Sequence, residues 1–242
     1  MDIARRDLIR LTALATLAAA SPFPALAQAG KLKIATIGSG REGGALGTLF
    51  AKAGHPVMFS SRHPENLKEL VAKAGPNAKA GTVEEAVAFG DVVLLVVPYT
   101  AVEQIGKDYG KGLAAKKLVI DVSNPIPRRD GEDFVKKIND EGGAGTVTAK
   151  LIPGAKIVRG FNAIGFGKLD DLGKKASDDK VGVPIAGDDQ GAVALASDLI
   201  KEIGFEPVVV GNLAMGRYLV PGTPLAGEHK PAELRQIAAT LK

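Results

Sequence analysis

The chain of 242 residues has no cysteine, no tryptophan and only three histidines. The lack of cysteine excludes disulfides, thiolate zinc sites and cysteine nucleophiles. The formal net charge is only +4 and no basic stripe is interleaved with aromatic residues, so nucleic acid is not expected as a partner. Acidic pairs occur in polar loops without a histidine partner, and His55 is expected on a surface turn. Neither a metal site nor a catalytic side chain is therefore predicted.

The first 29 residues have the pattern of an export leader. Arg5 and Arg6 precede an apolar stretch over residues 8–26, which prolines interrupt and which is too short and alanine-rich for a good membrane span. The twin arginine resembles a Tat signal, and the alternatives are a Sec signal or an uncleaved anchor. Residues 1–29 are thus predicted to be a leader read by the Tat machinery. The expected location is periplasmic or exported, or cytoplasmic if the signal is not used.

A glycine-rich turn lies between an apolar strand (residues 34–37) and a segment with helical spacing of apolar residues. Gly38 would allow a tight turn, Gly40 would let a pyrophosphate approach the backbone, and Gly43 would let the helix pack against the strand. The alternative is that these glycines only form a turn. Their position between strand and helix favours a dinucleotide site.

The second strand ends without the carboxylate that holds the ribose 2′-OH in NAD sites. Residues 57–59 lead into Ser60, Ser61 and Arg62. A carboxylate there would repel a 2′-phosphate, whereas a guanidinium can bind it through two hydrogen bonds. A solvated arginine in a turn is the alternative interpretation. The sequence favours NADP as the cofactor.

Strands alternate with helices through the rest of the chain, which predicts an α/β protein with a Rossmann-type doubly wound parallel sheet. Residues 30–163 are expected to form the NADP-binding domain, and residues 164–242 a small C-terminal α/β extension that completes the substrate site. Residues 126–149 are polar and glycine-rich with one short helical piece. They are expected to form a weakly structured lid or a flexible surface loop.

Several motifs together resemble one enzyme family. They are Ile37-Gly-Ser-Gly-Arg-Glu-Gly43, Phe59-Ser-Ser-Arg62, Val97-Pro98, Val122-Ser-Asn-Pro125, Val183-Pro-Ile-Ala-Gly-Asp188 and the segment from Gly204 to Arg217. The chain resembles the F-420-dependent NADP oxidoreductases, also called NADPH-dependent F-420 reductases, from about residue 31 to residue 220. Its Rossmann module is also similar to that of the STEAP metalloreductases.

The resemblance implies a set of cofactor-binding residues. The pyrophosphate would be lined by Ser39, Gly40, Arg41 and Glu42, the 2′-phosphate by Ser61 and Arg62, and the nicotinamide by Val97, Pro98, Asn124 and Ala163. Gly38 and Gly43 of the glycine turn complete the set of predicted cofactor-binding residues. It also implies hydride transfer between NADPH and a flavin-like or deazaflavin acceptor, which needs oriented rings more than a side-chain acid. A homodimer is a further expectation. The alternatives are an exported protein that holds NADP tightly without turnover, and a reductase of a small imine or carbonyl compound, for which no proton donor is evident.

Overall fold

The computed structural model describes residues 30–176 and 179–241. Its strands are β1 (Ile34–Ile37), β2 (Val57–Ser60), β3 (Ala78–Gly81), β4 (Val92–Leu95), β5 (Leu118–Asp121), β6 (Ile157–Arg159), β7 (Gly182–Gly187) and β8 (Glu206–Gly211). Its helices are α1 (Arg41–Lys52), α2 (Lys68–Ala74), α3 (Val83–Phe89), α4 (Val102–Ala114), α5 (Pro127–Asp130), α6 (Glu132–Asp140), α7 (Ala144–Leu151), α8 (Leu169–Leu172), α9 (Gln190–Glu202) and α10 (Pro231–Thr240). None of the helices in this part of the chain is long and apolar enough to cross a membrane.

The eight described strands form one sheet in the order β3-β2-β1-β4-β5-β6-β7-β8. The first six strands pair in parallel, β6 pairs with β7 in antiparallel fashion, and β7 and β8 are again parallel. The order 3-2-1-4-5-6 is that of the Rossmann fold. Successive strands are added toward one edge of the sheet up to β3 and toward the other edge from β4 onward, so the topological switch point lies between β1 and β4. The predicted fold class is therefore confirmed.

The central strands are buried on both faces, as their continuous apolar runs predict. Alternate residues along a strand face opposite sides of the sheet. Ile34 and Val92 belong to one hydrophobic cluster, and their neighbours Ala35 and Val93 belong to a second cluster on the opposite face. Helices cover both faces, so the sheet divides the core into two layers.

The C-terminal segment continues this sheet rather than starting another. The boundary predicted at residue 163 falls in the loop after β6, where the sheet changes from parallel to antiparallel pairing. Beyond it, β7, α9 and β8 form the predicted strand-helix-strand unit. Asp189 caps α9 by accepting a hydrogen bond of 2.7 Å from the Ala192 backbone, as expected of an acidic residue before a helix.

Two expectations about local structure were wrong. Residues 126–149 are helical, because α5, α6 and most of α7 occupy them, and α7 buries Ala144 and Val147. His55 lies in the turn after α1, but its side chain is only 1% exposed. Its ring packs edge-on against Phe50 and contacts the Leu32 carbonyl at 2.9 Å. Burial therefore accounts for His55 and α7, whereas α5 has no buried residue and α6 buries only Ile138.

The edge strand β3 was not predicted. Its sequence, Ala-Lys-Ala-Gly, contains none of the β-branched or aromatic residues that favour strands. The strand forms because its backbone pairs along the whole of β2, from Val57 opposite Ala78 to Ser60 opposite Gly81. The helix that follows begins as predicted, with a reciprocal capping box between Thr82 and Glu85.

Candidate functional site

Two adjoining cavities open at the carboxyl ends of the parallel strands, where ligands bind in folds of this type. One has a volume of about 500 Å³ and the other about 670 Å³. They share Gly40, Val97 and Pro98, so they form one continuous cleft over the β1–α1 turn and the end of β4. Every predicted cofactor-binding residue lines this cleft. Their spacing in the sequence alone did not require these residues to meet at one site.

The three glycines of the turn differ in what surrounds them. Gly38 has a φ of +92°, and a Cβ there would lie 2.2 Å from the Val96 carbonyl oxygen. A Cβ on Gly43 would lie 2.0 Å from the Gly38 carbonyl oxygen. A Cβ on Gly40, by contrast, would meet no atom within 4 Å, because Gly40 faces the open cleft at the N-terminus of α1. The fold therefore requires the first and third glycines, while the second leaves room for a ligand.

The N-terminus of α1 gives this turn its chemistry. Gly40 is the N-cap residue, and the helix extends for 12 residues beyond it. Unpaired backbone N–H groups and the positive end of the helix dipole meet there, which favours a bound anion. The turn therefore fits a pyrophosphate, the group that the sequence pattern predicts.

The 670 Å³ cavity, here called the adenosine-side cavity, extends from this turn over the end of β2. Ser60 is buried, and its hydroxyl donates a hydrogen bond of 2.6 Å to the Thr36 carbonyl, which fixes the strand end. Ser61 and Arg62 then line the cavity, and Arg62 is exposed without an ion pair to any described residue. Among the described residues on this cavity the one carboxylate is Asp108, which accepts a hydrogen bond from Gln104. The guanidinium of Arg62 is thus available to a phosphate.

The 500 Å³ cavity, here called the nicotinamide-side cavity, lies over the ends of β4, β5 and β6. Its wall includes Asn124 and Ala163. The amide of Asn124 is fixed in orientation, because it donates to the Asn162 carbonyl at 2.6 Å and accepts from Arg159 at 3.0 Å. Phe161, in the same wall, is the one described non-glycine residue with a φ between +20° and +160°, at 61°. Backbone strain of this kind is maintained only where the surroundings fix it, and it concentrates at functional sites.

A buried ion pair supports this wall from below. Arg159 and Asp121 are both fully buried, and Nη1 of the arginine donates to Oδ2 of the aspartate at 2.8 Å. The same Nη1 donates to the Ser123 carbonyl at 2.9 Å. Two glycines make room for the arginine stem, since a Cβ on Gly145 or Gly216 would lie 2.8 Å or 2.5 Å from its Cδ. The pair therefore holds the loop after β5 against the end of β6.

One carboxyl group in the nicotinamide-side cavity has an altered acidity. Burial raises the pKa of Glu42 to about 7, and a hydrogen bond with the Phe166 backbone partly opposes this rise. Burial and the nearby Asp121 also raise the pKa of Tyr99, whose hydroxyl donates to the Ala144 carbonyl at 2.7 Å. Tyr99 thus serves as a neutral structural donor beneath the loop that follows β4.

Sequence reasoning missed several residues around the cleft. It did not single out Asp121, Arg159 or Arg129, and it gave no special environment to Glu42. A signal was present for the first two, because each is a lone charged residue in an otherwise apolar strand and the two strands are neighbours. Buried charges require a partner. The described residues contain no group of three or more side chains able to hold a metal ion.

The fold and the cleft define a dinucleotide-binding protein of the Rossmann class. Residues 33–125 match the family model "NADP oxidoreductase coenzyme F420-dependent". This match covers the predicted glycine turn and Arg62, and it agrees with the resemblance that the sequence motifs indicated.

The relatives extend this similarity over most of the chain. It is 29% identical over 206 residues to the F420-dependent NADP reductase of Methanothermobacter thermautotrophicus, covering 80% of this chain and 87% of that one. It is 25% identical over 205 residues to a glycerol-3-phosphate dehydrogenase [NAD(P)+] of Staphylococcus epidermidis, covering 72% of this chain and 62% of that one. It is also 27% identical over 188 residues to the metalloreductase STEAP3 of Rattus norvegicus, covering 76% of this chain and 35% of that one.

A solved structure shows the same fold. A hypothetical protein of Sinorhizobium meliloti superposes with a TM-score of 0.66 at 27% identity, covering 82% of this chain and 94% of that one. Together with the relatives, this confirms the predicted resemblance to the F420-dependent NADP reductases and to the STEAP metalloreductases. The predicted leader lies outside the described residues and stays a prediction.

Proposed function

We propose that this protein is an NADP(H)-dependent oxidoreductase that transfers a hydride between NADPH and a flavin-like or deazaflavin acceptor of the F420 type. The observation that carries the proposal is the continuous cleft. It places the open glycine Gly40 at a helix N-terminus, Arg62 at one end and the fixed amide of Asn124 at the other. The name of the Methanothermobacter relative supports the acceptor class.

The residues of the cleft have separate roles in this proposal. The N-terminus of α1 binds the pyrophosphate, and Ser61 and Arg62 bind the 2′-phosphate. Val97, Pro98 and Ala163 bound the cavity in which the nicotinamide lies, and Asn124 offers a preoriented amide there. The bound cofactor supplies the hydride, so the protein mainly positions two rings against each other and excludes water.

The cofactor is tested by Arg62→Ala. Loss of a charged hydrogen-bonded contact is worth roughly 1.5 to 3 kcal/mol, which corresponds to about a 10- to 150-fold weaker affinity for NADPH. Affinity for NADH, which lacks the 2′-phosphate, should change little. Fluorescence titration of both nucleotides measures the ratio. Arg217→Ala is the matched control, because Arg217 is exposed and lines neither cavity. Equal losses for NADPH and NADH would contradict the assigned role of Arg62.

The acceptor is tested by stopped-flow oxidation of NADPH in the presence of F420, FMN, FAD and ferric chelates. Turnover with F420 or a flavin supports the proposal. Turnover with a ferric chelate alone would point to a metalloreductase instead. If none of these compounds oxidises NADPH while NADPH still binds, the proposed acceptor class is wrong.

The leader favours a second candidate, an exported protein that carries NADP(H) tightly and has no turnover. Arg5 and Arg6 form the twin-arginine pattern, and the Tat machinery exports proteins that have already folded, with any cofactor in place. On this proposal the protein is periplasmic or exported. Mass spectrometry of protein purified from the exported fraction tests it. NADP(H) present in near-stoichiometric amount supports the carrier, and an empty site contradicts it.

A further inference from the structure

Glu42 is the second residue of α1 and lines the nicotinamide-side cavity. Its side chain is partly buried, and its Oε1 atom is fully buried without a hydrogen-bond partner among the described residues. An ionised oxygen that is buried without a donor pays a desolvation cost, and a protonated carboxyl avoids most of that cost. The geometry therefore favours the neutral acid, although a helix N-terminus alone would favour the carboxylate.

The cations of the same cavity do not neutralise this carboxyl. Arg129 is paired with Asp130, with its Nε 2.8 Å from Oδ1. The guanidinium of Arg41 lies over the ring of Phe166, 5.6 Å from its centroid. No ion pair joins Glu42 to either arginine in the described part of the chain. Burial consequently dominates, and it is the cause of the raised pKa of Glu42, about 7.

The other charged groups on the elements that pack around this end of α1 are already paired. They are the buried pair Asp121 and Arg159 beneath the wall, Lys168 with Glu228, and Asp170 with Lys52 and Lys174. None of these groups offers an uncompensated positive charge to Glu42. A change in the ionisation of Glu42 is therefore controlled by burial and by whatever charge enters the cleft.

We propose that NADP(H) binding takes up a proton from solution at Glu42, so that the occupied site holds this residue as a neutral acid. The inference rests on the proposed function only in taking NADP(H) as the ligand. The pyrophosphate binds at the backbone N–H groups of the turn to which Glu42 belongs, and it brings negative charge beside the carboxyl. A nearby like charge disfavours the ionised form of a carboxyl. Closure of the cleft by the ligand also removes water from the carboxyl, which acts in the same direction.

The number of protons taken up on binding depends on the pKa of Glu42 in the free protein. With a pKa of about 7, roughly one tenth of the free protein carries the proton at pH 8, because each pH unit is a factor of ten. If the bound form is mostly protonated, binding at pH 8 takes up more than half a proton per nucleotide. At that pH the 2′-phosphate, which has a pKa near 6, is already ionised and contributes little.

The experiment is isothermal titration calorimetry of NADP+ and NADPH at pH 8 in HEPES and in Tris, which differ in ionisation enthalpy and contain no phosphate. The difference in apparent enthalpy between the buffers gives the protons taken up. The wild-type protein should take up more than half a proton, and Glu42→Gln should take up close to none. Asp198→Asn makes a similar charge change on the exposed side of α9 and should keep the wild-type value.

A second readout does not depend on calorimetry. The dissociation constant of wild-type protein for NADPH should rise between pH 7 and pH 9 by up to tenfold per pH unit, and that of Glu42→Gln should stay flat. If Glu42→Gln does not bind, Glu42→Met replaces it. Equal uptake in wild type and variant, or no uptake by wild type, would overturn the inference while leaving NADP(H) as the ligand. Failure of the wild-type protein to bind NADP(H) at all would overturn the proposed function as well.

Discussion

Replacement of Arg159 by methionine should strongly destabilise the protein, because it breaks the buried ion pair beneath the cleft. The guanidinium is fully buried and makes three hydrogen bonds of 2.8, 2.9 and 3.0 Å, to Asp121, Ser123 and Asn124. Methionine fills a similar volume, so the change mainly removes the charge and its donors. The aspartate is then left in the interior as an uncompensated charge.

The size of the expected stability loss depends on the hydrogen bonds that Asp121 retains in the variant. Breaking a buried ion pair by removing one partner typically costs about 3–5 kcal/mol. Asp121 would retain hydrogen bonds from the Ser123 backbone N–H at 2.9 Å, from the Ser123 hydroxyl and from the Thr148 hydroxyl at 2.9 Å. These neutral donors lower the cost, so we expect a loss of about 3 kcal/mol. That is a large fraction of the 5–15 kcal/mol that stabilises a typical domain.

Urea denaturation of the wild-type protein and of Arg159→Met measures this loss. Arg217→Met is the matched control, because that arginine is exposed, and it should change the free energy of unfolding by less than about 0.5 kcal/mol. The double variant Arg159→Met, Asp121→Asn should recover much of the stability, since it removes both charges. A loss below 1 kcal/mol in the single variant, or no recovery in the double variant, would refute the reasoning.

Three further predictions concern the turn, the carboxyl and a helix cap. Gly43→Ala should lower the melting temperature because its Cβ would overlap the Gly38 carbonyl, whereas Gly40→Ala should keep the wild-type melting temperature and lose NADPH affinity in titrations. Folding raises the pKa of Glu42 from 4.5 to about 7, so the stability that its protonated form contributes is present below about pH 4.5 and is lost as the pH rises through about 7. In denaturation curves, Glu42→Gln should therefore be more stable than wild type by roughly 1–2 kcal/mol at pH 8 and equal to it at pH 4. Thr82→Ala should cost about 1 kcal/mol in the same assay, and Thr82→Ser should not.

The features that sequence reasoning predicted correctly are those that local chemistry determines. A buried parallel strand needs an apolar run, a turn against a strand needs glycine, and a helix start needs a cap. The predictions for residues 34–43, for the buried strand that ends before Pro98 and for the Thr82 capping box agree with the structure for this reason. Because parallel strands end at one edge of the sheet, the predicted cofactor residues also meet there.

The features that escaped prediction depend on contacts between distant segments. The strand β3 forms only because β2 offers it a partner edge, and α7 becomes buried only because it packs over the sheet and the segment 213–218. The side chain of His55 turns inward because Phe50 and the Leu32 carbonyl receive it. Apart from Phe50, these partners lie far away in the sequence, so composition and periodicity could not reveal them.

The acidity of Glu42 bears on the choice between acceptor classes. A flavin or deazaflavin ring needs little from the protein beyond orientation, whereas an imine or carbonyl carbon that receives a hydride also needs a proton on its nitrogen or oxygen. The sequence offered no evident proton donor, which counted against the imine or carbonyl class. A carboxyl with a pKa of about 7 that lines the nicotinamide-side cavity makes Glu42 a candidate donor to test, because about half of it is protonated at neutral pH. The panel of acceptors tested against NADPH should therefore include a cyclic imine, and Glu42→Gln should abolish turnover of the imine while sparing F420 if the carboxyl supplies that proton.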